Sequence, residues 1–318
     1  MEENGNLYPA QILIDSADGH SDWEVNLNPD GGRMYQKLEM QQRFAEMYTD
    51  VTVSNLGISL HSHSFHELLC CQNTCDVEYL VGSVRYRLQK GDIVIVPPGV
   101  SHRPLLSEHM TEPFRRDVMW LSEEFAAQIP HLLPAGHKGD GREAILLRTG
   151  GTQWDFLAAM FRNGVMEAEQ KRLGWEESIL GNAIQILVYI GRALDDRSAV
   201  PLHVEKPELL DQVLMYVEEH LSDKITLAEV ARHFWVSQST ISQTFKNKMG
   251  VSFYRCVTQR RLIAAKTLIF QGLPLESINE KVGFTDYSTF YRAFKQEFGI
   301  SPRQFRKKME NPEHLSLL

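Results

Sequence analysis

The chain has 318 residues, 43% of them hydrophobic and 23% charged, which favours about two soluble globular domains with real cores. No apolar run approaches the roughly 20 residues that span a bilayer, and the acidic start MEENGNLYPAQ lacks the basic-then-apolar order of a signal peptide. A membrane or secreted protein is therefore not expected, and a cytoplasmic one is.

The net charge of −8 hides an asymmetry. Residues 224–308 hold 15 Lys and Arg against 5 Asp and Glu, a net +10, which leaves −18 for the rest of the chain. A basic module on an acidic body is the electrostatic footprint of a nucleic-acid binder.

In chain order, residues 33–49 (RMYQKLEMQQRFAEMYT) read as a short helix. From Val51 to about Leu121 the apolar period becomes two. VTVSNLGISL, DVEYLV, VRYRLQ and DIVIVP are β-rich runs separated by turns, and their close spacing predicts a sandwich or small barrel.

This region holds a polar constellation. His61 and His63 point the same way if they lie on a strand, and Glu67 and His102 can converge on them. Three nitrogens and one carboxylate suit a divalent metal, with one position left open for a ligand. The same residues suit direct contact with an organic effector, or a purely structural role. Tyr79, Tyr86 and Trp120 are candidates to line such a pocket, although aromatic residues here are more often core. His66 has the wrong parity and is expected on the outer face. Cys70, Cys71, Cys75 and Cys256 form no disulfide framework and suit a reducing compartment; Cys70, Cys71 and Cys75 have the chemistry to ligate a metal or sense oxidants, but read more simply as small apolar fillers on and after a strand.

From Ser122 the pattern turns helical. The stretch 175–194 places Ile179, Ala183, Ile186, Leu187 and Ile190 on one broad face. That face needs a partner, either the domain's own sheet or the same helix of a second subunit. Residues 195–207, polar and with two prolines, read as a linker.

The C-terminal block contains a weak internal repeat, 225–250 and 273–299. Leu227, Val230, Phe234 and Val236 correspond to Leu275, Ile278, Val282 and Phe284. Ile241 and Phe245 correspond to Phe290 and Phe294. Each copy reads as helix, short turn, helix, with Ser237 or Thr285/Asp286 capping the second helix. The outward faces carry Ser239, Ser242, Gln243 and Lys246 in one copy. In the other they carry Tyr287, Ser288, Tyr291, Arg292 and Lys295. Hydroxyls, an amide and Arg can bond base edges, while Lys neutralises phosphate. A helix over about 252–270 joins the copies and spans roughly 28 Å, close to the ~34 Å between successive major-groove faces of B-DNA.

These strings, above all ITLAEVARHFWVS, RRLIAAKTLI and VGFTDYSTFYRAFKQEFGISP, resemble the AraC/XylS family of bacterial transcription regulators. The resemblance covers 224–308. It implies base contacts by Ser239, Ser242 and Gln243 and by Tyr287, Ser288 and Arg292. Small Ser239 and Ser242 depart from the family, so the second helix is expected to dominate readout.

The N-terminal motifs His61-x-His63-x3-Glu67 and Gly91-x5-Pro97-x-Gly99-x2-His102 resemble those of the cupin barrel. The two resemblances together imply an α+β multidomain protein. A cupin-like β-barrel (jelly roll) with flanking helices would sense an effector over residues 1–150. A helical dimerisation segment (151–194) and the linker (195–207) would lead to an all-α DNA-binding domain (208–310) with two helix-turn-helix units. The family resemblance also implies activation, RNA polymerase as a partner, a homodimer and a sugar-like effector. The competing readings are a metal-dependent cupin enzyme fused to a DNA-binding module, and a DNA-binding scaffold blind to ligand.

Overall fold

A computed structural model describes residues 40–53, 60–73, 76–107, 110, 112–133, 145–196 and 207–310. Cys75, residues 197–206 of the expected linker and residues 33–39 of the expected helix lie outside these residues. Eight strands come first: β1 Ala45–Thr52, β2 His66–Cys71, β3 Val77–Val81, β4 Val84–Arg87, β5 Asp92–Val96, β6 His102–Leu106, β7 Phe114–Leu121 and β8 Ile145–Arg148. They form a five-stranded sheet, β1-β7-β2-β5-β8, and a three-stranded sheet, β4-β3-β6.

Side-chain alternation turns these sheets into layers. On the large sheet Leu68, Cys70, Ile93, Ile95, Met119 and Leu121 pack against two helices, α2 (Leu157–Gln170) and α3 (Trp175–Asp195). Their neighbours Leu69, Cys71, Val94, Val96, Val118 and Trp120 face the small sheet, which contributes Tyr79, Val81 and Leu106. The other side of the small sheet offers Leu80 and Leu105 to the C-terminal helices, with which they share one core. The order of layers is helix pair, large sheet, small sheet, helical module. The apolar face of α3 is thus spent on the domain's own sheet. Gly164 of α2 lets that helix approach closely, because a Cβ there would lie 2.1 Å from Met47 Sδ.

Two expectations are corrected. The helix over 33–49 gives way to β1 from Ala45, which pairs with β7 along its whole length. Helix-forming Glu, Gln and Met in EMQQRFAEMY are overridden there by burial of Ala45 and Met47 in the sheet's core. β8 falls in a stretch read as helical, and its four residues are too few to show a period. Of the sandwich and small barrel expected for the β-rich region, the strands form two facing sheets. Among the described residues no ladder closes them, and only a single bridge, His61 to His102, extends the small one.

After the short α1 (Glu123–Ala126), α2 and α3, the chain continues as α4 Leu209–Glu219, α5 Leu227–His233, α6 Gln238–Thr244, a π turn Phe245–Met249, α7 Phe253–Phe270, α8 Leu275–Lys281, α9 Tyr287–Phe298 and α10 Pro302–Glu310. Two small cores hold these helices, one around Ile241 and Phe245 and one around Phe290 and Phe294. Helix starts follow the caps expected from sequence: Ser237 Oγ accepts from Thr240 N at 3.0 Å, and Asp286 Oδ1 accepts from Thr289 N at 2.8 Å. No described helix is long and apolar enough to cross a membrane.

Candidate functional site

The two helix pairs, α5–α6 and α8–α9, hang on α7. In the first, Ile241 and Phe245 are buried, and this turns Ser239, Ser242, Gln243 and Lys246 outward, all exposed. Ser239 is not wholly free, since its hydroxyl lies 2.7 Å from the capping Ser237 Oγ. In the second, burial of Phe290 and Phe294 leaves Tyr287, Ser288, Tyr291, Arg292 and Lys295 exposed on the opposite face. The Tyr287 and Tyr291 rings sit 6.3 Å apart as an aromatic pair. A buried carboxylate aligns this helix: Glu297 receives Arg255 of α7 at 2.5 Å and Gln259 Nε2 at 3.1 Å. All nine residues expected from sequence therefore stand on two solvent-facing helix surfaces that share one spine.

The second site lies between the sheets. His63, Glu67 and His102 are buried, with ligand atoms within 4.8 Å of one another. Glu67 comes from β2 with the parity that faces inward, and His102 opens β6. His63 precedes β2, its ring stacked on Phe65 at 3.9 Å. His61 packs edge-on to the His102 ring at 4.2 Å but is not one of the three converging groups. Tyr79 Oη donates to Glu67 Oε1 at 3.3 Å and Trp120 Nε1 to Oε2 at 2.8 Å. Tyr79 therefore orients the carboxylate, while Tyr86, half-buried, packs at the edge of the apolar core. His66 is on the outer side as expected, 3.5 Å from Glu123, and burial lowers it to about 4.

The protonation logic of this cluster is informative. His63 Nδ1 lies 2.8 Å from Phe65 O, and His102 Nδ1 lies 2.9 Å from Val100 O. A carbonyl only accepts, so both Nδ1 atoms carry the hydrogen. In the neutral rings each Nε2 is then a bare lone pair, and neither finds a hydrogen-bond donor. Both point at Glu67, at 3.4 and 3.5 Å from its oxygens. Burial pushes His102 down to about 4, against the pull of Glu67. Burial alone would raise Glu67, but attraction to its imidazole neighbours in their protonated form, His102 first, holds its carboxyl well below the usual range. Both Glu67 oxygens already accept hydrogen bonds, from Tyr79 and Trp120, so two unpartnered imidazole nitrogens facing this carboxylate form an arrangement that a cation among them would relieve. Zinc-type bonds of about 2.1 Å in a tetrahedron put donor atoms roughly 3.4 Å apart, which matches the two measured spacings. The residues present fit a divalent metal.

Sequence reasoning missed the residues joining β domain and helical module. Arg103 of β6 donates from Nη1 to Met249 O at 2.8 Å. Arg260 of α7 donates to Gly82 O at 2.7 Å and pairs with Glu218. Arg85 of β4 bonds both Asp211 oxygens, at 2.6 and 2.9 Å. Arg85 and Arg103 carry one sequence signal, a strand parity opposite to that of their inward-facing neighbours, while Arg260 sits on a helix and carries none. Also unforeseen is Trp235, in the turn between α5 and α6, with φ 57° and 93% exposure. Cys70, Cys71 and Cys256 are buried and form no disulfide among the described residues. Burial raises Cys256 to about 12, which keeps it a thiol rather than a thiolate.

Comparison with known proteins agrees with the first site. Residues 230–308 match a family model described as a helix-turn-helix domain. The "Probable transcriptional regulator LumQ" of Photobacterium leiognathi is 32% identical over 134 residues, 41% of this chain and only about half (53%) of that protein. The "Uncharacterized HTH-type transcriptional regulator YfiF" of Bacillus subtilis (strain 168) is 26% identical over 294 residues, 89% of this chain and 88% of that one. The "Arabinose operon regulatory protein" of Salmonella typhimurium is 26% identical over 228 residues, 69% and 76% of the two chains. Residues 230–308 are thus a helix-turn-helix domain, and the curated proteins that the chain resembles are transcriptional regulators.

Proposed function

We propose that this chain is a ligand-responsive transcription regulator that reads double-stranded DNA with α6 and α9 and senses a small molecule in its β domain. The observation that carries the reading is the pair of exposed polar helix faces on one spine, within a +10 segment. Two recognition helices on a rigid connector suit two major-groove segments about one turn apart. Selection from random duplex DNA at about 150 mM salt tests it, since only specific contacts survive there. The expected outcome is a motif of two blocks about one turn apart. Weak, steeply salt-dependent binding with no motif would overturn the reading.

The β domain's ligand site is the His63–Glu67–His102 cluster, with His61 at its margin. Two occupants fit the chemistry: a sugar-like effector whose hydroxyls meet the imidazoles, and a divalent transition metal. The bare Nε2 atoms facing Glu67 favour the metal. His63, Glu67 and His102 would hold it, and a position left open would take a donor atom of an effector. Tyr79 and Trp120 fix the carboxylate's orientation in either case. Titration with Zn²⁺, Mn²⁺ and Ni²⁺, and separately with sugars, separates the two. A ligand at 100 times its Kd should add about 2.7 kcal/mol of stability, and Glu67→Gln should abolish the gain for a metal. The related regulators favour regulation over catalysis, and their kind implies a cytoplasmic protein, activation through RNA polymerase and a homodimer. Because the inner face of α3 is already covered, the subunit contact would use exposed Met166, Leu173 and Ile184.

A further inference from the structure

The small sheet β4-β3-β6 has two occupied faces. Toward the large sheet it presents Tyr79, Val81, His102 and Leu106, and toward the helical module Leu80, Arg85, Arg103 and Leu105. The pocket and the grip on the DNA-binding domain are thus the two sides of the same strands. His102 meets Glu67, while its neighbour Arg103 reaches Met249 O at the last turn of the first recognition helix. The segment through His61 and His63 repeats the pattern, since Ser62 O between them accepts from Lys266 Nζ of α7 at 3.2 Å. The loop before β6 repeats it again. Gly99 N donates to His63 O at 2.8 Å, and a Cβ on Gly99 would stand 3.3 Å from Thr267 Oγ1 of α7.

We infer that this sheet is a coupling element: occupancy of the histidine site sets the position of the first helix-turn-helix unit through Arg103, and of the α7 spine that carries both units through Lys266, and both act as positioning residues. The inference rests on the reading of the β domain as a sensor and names how that sensor is read.

Three features carry it. The links end on backbone carbonyls, so they report strand and helix position to a few tenths of an ångström before the bond is lost. Arg103 and Arg260 are almost wholly buried, and buried guanidinium groups fix geometry more than they add stability. Met249 closes a π turn, a wound-out end to the recognition helix that Arg103 caps from below. π turns concentrate at functional positions, and a cation at a helix C-terminus stabilises it. The tie to α9 is indirect: Lys266 Nζ, bonded to Ser62 O, stands 5.0 Å from the centre of the Phe298 ring. That helix is aligned from α7 by Arg255 and Gln259.

A double-mutant cycle on the full chain tests this. Glu67→Gln alters the pocket, and Arg103→Met removes the link with little change in volume. Lys266→Met, on a half-buried side chain, serves if Arg103→Met fails to fold. Two readouts are taken: affinity for the selected duplex, and amide exchange of residues 245–267. We expect Glu67→Gln alone to change affinity at least about 5-fold and to shift exchange of 245–267. In the Arg103→Met or Lys266→Met background the same change should shrink to within about 2-fold, because the sites no longer couple. Equal effects of Glu67→Gln in both backgrounds, or none in either readout, would overturn the coupling. Calorimetric titration of the wild type with Zn²⁺, Mn²⁺ and Ni²⁺ keeps the two ideas apart. No heat with a non-additive cycle sinks the metal reading and leaves the coupling. Metal binding with an additive cycle does the reverse.

Discussion

The two helix-turn-helix units began as one pattern and differ in instructive ways. The second has a continuous twelve-residue recognition helix, α9, with two tyrosines and an arginine outward. Its turn uses Gly283 at φ +78°, where a Cβ would collide with Leu221 O at 2.2 Å. The first has a seven-residue α6 that widens into a π turn, shows serines and glutamine, and places Trp235 at φ 57° where its counterpart has Gly283. The core of the second unit is built from helical-module residues, whereas the first shares its core with the small sheet. The contrast suggests that base reading is concentrated in the second unit and control in the first.

The largest effect should come from breaking the second core. Phe290 is fully buried among Phe284, Phe294 and Tyr287, so Phe290→Ala should cost about 3–5 kcal/mol. Ile241→Val at the matching place in the first core should cost only about 0.5–1.5 kcal/mol. Denaturant unfolding checks both. Comparable losses would mean the two cores are not the separate units described.

Acid should separate the β domain from the helices. His102 has an ordinary value of 6.5 and is lowered to about 4 by burial, as is His66. Below 6.5 the unfolded chain takes up protons that the folded one refuses. Stability present above pH 6.5 is therefore lost as pH falls from 6.5 toward 4, on the order of 3 kcal/mol for His102. Among the described residues the C-terminal helices contain no buried histidine. Amide exchange at pH 5 should therefore rise in β2 and β6 before it rises in α8 and α9. Simultaneous loss would refute this ordering.

Legibility from sequence tracks the range of the interactions. The helix-turn-helix units, their caps and both recognition faces rest on spacings of three and four residues, and all nine exposed residues follow from which of Ile241, Phe245, Phe290 and Phe294 must be buried. The histidine cluster was legible as a set of residues, because His63, Glu67 and His102 sit at motif spacing. The exclusion of His61 from the converging three depends on where the chain bends before β2. β1 was misread because pairing with β7, some 70 residues away, outweighs local helix preference. Arg103, Arg260 and Arg85 were invisible as an interface, since each partner across it lies more than 100 residues off and the parity of one arginine in a strand, or its place in a helix, does not name a partner.

At the recognition surfaces, Arg292→Ala should cost about 1–3 kcal/mol and relax specificity at one base position. Ser242→Ala should change specificity far less, as a single hydroxyl offers no bidentate contact. Repeating the DNA selection with each variant measures the difference, and a larger loss of specificity from Ser242→Ala would reverse the assignment of the units. Lys246→Ala should weaken all sequences alike and flatten the salt dependence by about one unit.

The smallest effect concerns Trp235, and its sign is opposite. A bulky residue in the left-handed region carries strain on the order of 1 kcal/mol. The indole, 93% exposed, recovers almost nothing by burial. Trp235→Gly gives this turn the residue found at the matching position of the second unit. It should raise stability by up to about 1 kcal/mol, reduced by the greater freedom of glycine in the unfolded chain. Thermal unfolding of the two proteins checks the sign. If stability rises while affinity for the selected duplex is unchanged, the first unit merely tolerates its strain. If stability rises and affinity falls, the exposed indole is itself a contact. Control of the first unit would then extend from the end of its recognition helix, where Arg103 holds Met249, to the turn that begins it.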